Sequence, residues 1–133
     1  MKTALIICDN EVLNSIYSVN LKTYTELNLI FVSSLDEGLI YIEDTACDLD
    51  LLVTMDSIND EDTALLAFHN LIENDRDIPS IVIGESELVP DENYKVKNQF
   101  DIPGILSNIF KCLGMTPKDV LAVVTEDLYE MPI

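Results

Sequence analysis

Apolar positions along the chain switch between two periods. Ala4 to Cys8 is an unbroken apolar run of strand length without polar alternation, so it predicts a strand buried on both faces of a parallel sheet. Asp9-Asn10-Glu11 ends it, and Leu13, Ile16, Tyr17, Leu21 and Tyr24 then recur at the spacing of one helix face. The alternation repeats. Leu29 to Val32 predicts a second strand, and Ser34 with Glu37 three residues on forms a capping-box pattern opening a helix through Leu39 and Ile42. Asp48 to Met55 predicts a third strand, after which Leu65, Phe68, Leu71 and Ile72 would line one side of a helix capped by Asn59 or Asp60.

Asp77-Ile78-Pro79 leads into Ser80 to Gly84, a fourth buried strand whose proline stands at its start rather than its interior. Leu88-Val89-Pro90 is poor helix material, so the helix expected between Glu85 and Asn93 is short, distorted or absent. Tyr94 to Val96 is expected as a fifth, edge strand flanked by lysines. Asp101 can cap the next helix, with Pro103 in its first turn, Ile105, Leu106, Ile109, Phe110 and Leu113 on its inner face and Gly114 at its end. Five strand–helix units joined by right-handed crossovers predict an α/β fold, a flavodoxin-like (βα)5 doubly wound parallel sheet, with its ligand site at the strand C-terminal ends. Residues 1–114 would form this domain. Thr116, Pro117 and Asp119 open one further amphipathic pattern through Val120, Val123, Val124 and Leu128, so residues 115–133 are expected to be an extra C-terminal helix or a connector to a following output domain.

The 133 residues are 48% hydrophobic and 24% charged, enough for a single domain whose core needs neither disulfides nor metal. Seven Lys plus Arg against 25 Asp plus Glu leave a net charge of −18, which repels nucleic acid and anionic membrane alike. No apolar run approaches the roughly 20 residues of a membrane span, so a cytoplasmic protein is expected. Cys8, Cys47 and Cys112 are odd in number and form no CxxC pair, as suits buried thiols in a reducing compartment. Between Lys22 and Arg76 stand thirteen acids and no Lys or Arg, ten of them from Asp36 to Asp62. Apolar residues interleave them at structural spacing, so they form a folded face, either a solvated surface or a docking face for a basic partner. His69 is the only histidine, which excludes His-rich zinc sites, and no GxGxxG, P-loop or Ser-His-Asp arrangement is present. An enzyme is not expected.

Across residues 3 to 114 the pattern resembles the receiver domain of bacterial response regulators. Leu5-Ile6-Ile7-Cys8-Asp9-Asn10-Glu11 resembles that family's first strand with its acidic pair, and Asp48-Leu49-Asp50-Leu51-Leu52-Val53-Thr54 its third strand leading to the phosphoacceptor. Ile78 to Gly84 resembles the fourth strand, Tyr94 to Phe100 the fifth with its lysine loop, and Val32 to Leu39 the join between second strand and second helix. The resemblance implies an acidic pair for Mg2+, an aspartate to accept the phosphoryl group, a hydroxyl to contact it and a lysine to neutralise it.

Position by position, the pocket is degenerate. Cys8 replaces the first metal-binding acid, Asp9 matches the second and is the one weak metal candidate, Met55 occupies the phosphoacceptor position, and Gly84 replaces the hydroxyl residue. Asp56 falls one residue late, where a strand turns its side chain to the other face. Lys97 matches the lysine, but Asn98-Gln99 stands where the family has a single proline. The expected function is therefore a non-catalytic, phosphorylation-independent pseudo-receiver without cofactor, acting in signal transduction by binding a protein partner or a second copy. The resemblance implies an interaction face at the last strand and helix, here Tyr94, Phe100, Ile105 and Ile109. Two alternatives stand beside it. One is a true receiver phosphorylated on Asp56 by a histidine kinase with Mg2+; the other is a small-molecule binder using the strand-end crevice.

Overall fold

The computed structural model describes residues 2–85 and 94–114. Strands β1 (Thr3–Ile7), β2 (Asn28–Val32), β3 (Leu51–Met55), β4 (Ser80–Ile83) and β5 (Tyr94–Val96) alternate with helices α1 (Glu11–Tyr24), α2 (Leu35–Glu43), α3 (Thr63–Glu73) and α4 (Ile102–Leu113). The strands form one parallel sheet in the order β2-β1-β3-β4-β5. This is the doubly wound, flavodoxin-like arrangement, with a helix layer on each face. The helices expected between Glu85 and Asn93 and over Met115–Ile133 lie outside the described residues.

Strand period two sorts the core into two layers. Ala4, Ile6, Leu51, Val53, Ile81 and Ile83 point to one face, where they bury Leu13, Tyr17 and Leu21 of α1 and Ile105, Leu106, Ile109 and Phe110 of α4. Leu5, Ile7 and Leu52 point to the other, against Leu35 and Ile42 of α2 and Ala67 and Leu71 of α3. Each fully buried aliphatic side chain contributes about 1.5 to 3 kcal/mol before entropy is subtracted. The continuous apolar strands are explained by this two-sided burial. Gly38 allows α2 to lie directly on β1, since a Cβ there would stand 2.6 Å from Ile7 Cδ1.

Side-chain caps start three of the helices. Asn10 accepts the Leu13 N–H at 3.1 Å, Ser34 accepts the Glu37 N–H at 3.2 Å, and Asp101 accepts the Gly104 N–H at 3.0 Å. The third helix departs from expectation. Asn59 and Asp60 do not cap it; they take φ of 52° and 64° in a turn closed by the Ile58–Glu61 bridge, a conformation short polar side chains tolerate. The helix begins after Asp62 and buries Thr63, Ala64, Ala67 and Leu71, while Leu65 and Phe68 are half-buried and Ile72 is 58% exposed. Among the described residues no helix is long and apolar enough to cross a membrane.

Candidate functional site

Strand β3 ends at Met55, whose partner on β4 is Ile83, and the chain leaves the sheet at Asp56. The Asp56 N–H still donates to the Ile83 carbonyl at 2.9 Å, so residue 56 is held beside Gly84 on the neighbouring strand. Its carboxylate is then held by main chain at both oxygens. The Ser57 N–H donates to Oδ1 at 2.8 Å and the Glu85 N–H donates to Oδ2 at 3.1 Å. Gly84 has φ +138°, a region open to glycine, and a Cβ at that position would stand 2.2 Å from Asp56 Cγ. The missing side chain at 84 is thus the space that the Asp56 carboxylate fills. A strand-end glycine is a sequence signal for such close approach, and in the sequence it reads only as a lost hydroxyl.

The loop after β5 is built without a cis peptide bond. Asn98 turns it, its Oδ1 accepting the Phe100 N–H at 2.9 Å and its carbonyl the Asp101 N–H at 3.0 Å. Tyr17, buried under the sheet on α1, donates its hydroxyl to the Gln99 carbonyl at 2.7 Å. The extra residue in this loop is therefore pinned from below. Burial, with a smaller contribution from Cys8, holds the Tyr17 phenol well above its ordinary pKa, so it remains a donor.

Met55, Asp56, Ile83, Gly84, Glu85, Lys97, Asn98, Gln99 and Phe100 line one crevice of about 400 Å3 at the strand ends. It brings together Met55, Asp56, Gly84 and Lys97. The expected turning away of Asp56 is corrected here: the ladder runs in register without a bulge, but the strand stops at Met55, and both side chains reach the crevice. Cys8 and Asp9 are not among its lining residues. Cys8 is 1% exposed, its Sγ directed at the Asn10 carbonyl 3.9 Å away, and Asp9 is exposed to solvent. Burial pushes the Cys8 thiol above its ordinary pKa; the Asn10 backbone opposes this in part, and the Asp9 charge adds a lesser upward push.

Solved structures with the same architecture are receiver domains. A response regulator receiver protein from Sinorhizobium medicae superposes with a TM-score of 0.72 at 20% identity, over 85% of this chain and 94% of that one. The receiver domain of a sensor histidine kinase from Pseudomonas aeruginosa, with a magnesium ion coordinated in its active-site cleft, gives 0.67 at 16% over 85% and 98%. A complex of the histidine kinase ThkA with the response regulator TrrA gives 0.70 at 13% over 85% and 99%. The chain has the receiver-domain fold. No protein-family model matches it, and no curated protein matches it by sequence.

Within this receiver fold the residues present do not fit a magnesium ion. The cation wants several carboxylate or carbonyl oxygens. Here Cys8 offers a buried thiol where an oxygen would be needed, Asp9 does not line the crevice, and no three His, Cys, Asp or Glu side chains gather among the described residues. The expected interaction face is also only partly at the surface. Tyr94 is 37% and Phe100 59% exposed, whereas Ile105 and Ile109 are buried against the sheet because the apolar stripe of α4 is its core stripe.

Proposed function

We propose that this chain is a phosphorylation-independent pseudo-receiver, a non-catalytic signalling module that acts through protein contacts. The observation that carries the proposal is the state of Asp56. Phosphoryl transfer to a carboxylate needs a free attacking oxygen and a cradle of opposite charge around the transferred group. Asp56 is tied by one amide on each oxygen, those of Ser57 and Glu85, and its carboxylate stands in the room a hydroxyl side chain at 84 would need, so the cradle has neither that hydroxyl nor the acid that Cys8 replaces. Met55 has no nucleophilic oxygen. A protein partner is supported by the likeness to a response regulator fold solved in complex with a histidine kinase. The exposed Tyr94 and Phe100 are the proposed contact points at the β5 end, with a partner or a second copy.

Asp56 and Lys97 line the same crevice, which favours one competing function, a receiver phosphorylated on Asp56. An amide NMR titration with Mg2+ and then beryllofluoride separates the two. A spectrum unchanged by both is expected. Saturable shifts at Asp9, Asp56 and Lys97 that spread to Tyr94 would replace the pseudo-receiver by the phosphorylated one.

A further inference from the structure

The two edges of the sheet are protected differently. β5 is three residues long and carries Lys95 within it and Lys97 beside it, the short, charged form that discourages strand addition. β2 is five residues long and reads Asn28-Leu29-Ile30-Phe31-Val32, with no lysine, no proline and an unbroken register to β1. Its ladder uses alternate residues. At one end the Asn28 N–H donates to the Lys2 carbonyl at 2.8 Å, and at the other the Cys8 N–H donates to the Val32 carbonyl at 3.0 Å. The phase of a parallel ladder then gives Asn28, Ile30 and Val32 to β1 and directs the N–H and C=O of Leu29 and Phe31 out of the sheet. No strand pairs on that side among the described residues. Two donors and two acceptors at alternate positions are half of a missing ladder.

Side chains and charge say what would complete it. Leu29, Ile30 and Phe31 are all half-buried, so apolar surface runs to the edge on both faces of the sheet. Exposed Glu26 precedes the strand, and α2, packed on β2, carries exposed Asp36, Glu37 and Glu43. Thirteen acids and no Lys or Arg lie between Lys22 and Arg76, and although Arg76 itself meets the carbonyls at the end of α2, the bases are outnumbered along this edge. A second copy of this chain would bring the same acids and a net charge of −18 to its own image, which opposes self-pairing and favours a cationic strand. We infer that the β2 edge is a docking strand for an extended, basic segment of a partner protein, one that alternates apolar residues with Lys or Arg and adds to the sheet through the main chain of Leu29 and Phe31.

The test uses a blocked synthetic peptide alternating lysine and valine over about seven residues, the length of an ordinary strand. In the free protein the amides of Leu29 and Phe31 are expected to exchange quickly and those of Ile30 and Val32 slowly. The peptide is expected to slow Leu29 and Phe31 saturably, less so as salt is raised, and a glutamate-for-lysine version has no effect. Leu29→Pro removes one outward donor and leaves every bond to β1, so slow exchange at Ile30 and Val32 reports an intact strand while affinity falls about tenfold, the worth of one hydrogen bond. Phe31→Lys is expected to weaken the peptide similarly by charge. Unchanged exchange at Leu29 and Phe31, protection of Tyr94 to Val96 instead, or undiminished binding to Leu29→Pro would overturn the assignment. So would protection of Leu29 and Phe31 that grows with protein concentration alone, which would give the edge to a second copy.

Discussion

Asp56 Cγ lies 2.2 Å from where a Cβ on residue 84 would stand, so the carboxylate at 56 and any side chain at 84 exclude one another. Restoring a hydroxyl by Gly84→Thr therefore does not restore a receiver pocket. It forces a β-branched residue to φ +138° and drives Asp56 off the Ser57 and Glu85 amides, for an expected loss of roughly 2 to 4 kcal/mol. In the double variant with Asp56→Ala the clash is gone and only the backbone strain and lost hydrogen bonds remain. Urea unfolding of the four proteins should give a double variant about 1 kcal/mol or more better than the sum of the singles. Simple additivity would mean the two positions do not share space.

Helix α3 offers a contrast between what looks apolar and what is buried. Ala67 is fully buried against α2 and the sheet, whereas Ile72 is 58% exposed. Ala67→Leu should overpack that layer and cost about 1 to 3 kcal/mol. Ile72→Lys should change stability by no more than about 0.5 kcal/mol. Thermal or denaturant midpoints in the reverse order would put the helix in the wrong rotation about its axis.

That helix also marks where the sequence stops being legible. The strands could be read because each is buried on two faces, and the resulting apolar runs at Ala4–Cys8 and Leu51–Val53 have no competing period. Helix α4 was equally plain, since Ile105, Leu106, Ile109 and Phe110 are both its large apolar residues and its buried ones. In α3 the two sets separate. Only Leu71 belongs to both; the rest of the inner face is the small Thr63, Ala64 and Ala67, which let the helix approach closely, and Leu65, Phe68 and Ile72 flank it. Among site residues, Met55, Gly84 and Lys97 were placed by their order along parallel strands. Asp56 was not, because whether a residue one beyond a strand end turns away depends on where the ladder stops. The Tyr17–Gln99 bond joins residues 82 apart in the sequence and leaves no local pattern to read.

Burial pushes the Cys112 thiol from its usual 9.0 up to about 11. The folded chain thus holds that proton more tightly than the unfolded chain, which ionises first as pH rises. Below 9.0 the contribution is fully present; through the window up to about 11 it is lost, and above that this thiol changes nothing further. Tyr17, also raised by burial, extends the decline to higher pH. Urea midpoints should therefore fall between these values, and Cys112→Ala should fall less steeply than the parent there. Parallel slopes for the two proteins would remove Cys112 as the cause.

Arg76 is the only arginine in the chain, and it is spent on the fold rather than on the crevice. Its Nη1 donates to the carbonyls of Ile42 at 3.1 Å and Asp44 at 2.8 Å, and its Nη2 to the Cys47 carbonyl at 2.5 Å. Helix α2 has no basic residue in its own last turn, so this guanidinium both caps its free carbonyls and meets the negative end of its dipole. Arg76→Ala should cost about 2 kcal/mol, in the range for hydrogen bonds to a charged group. Arg76→Lys keeps the charge but cannot span carbonyls that lie on both sides of a planar fork, so it should recover only part of the loss. Amide exchange at Cys47, whose N–H closes the turn onto the Asp44 carbonyl at 3.0 Å, should accelerate in both variants. A lysine variant as stable as the parent would mean that charge alone matters there, and that the fork geometry contributes nothing to holding the acidic segment against α3.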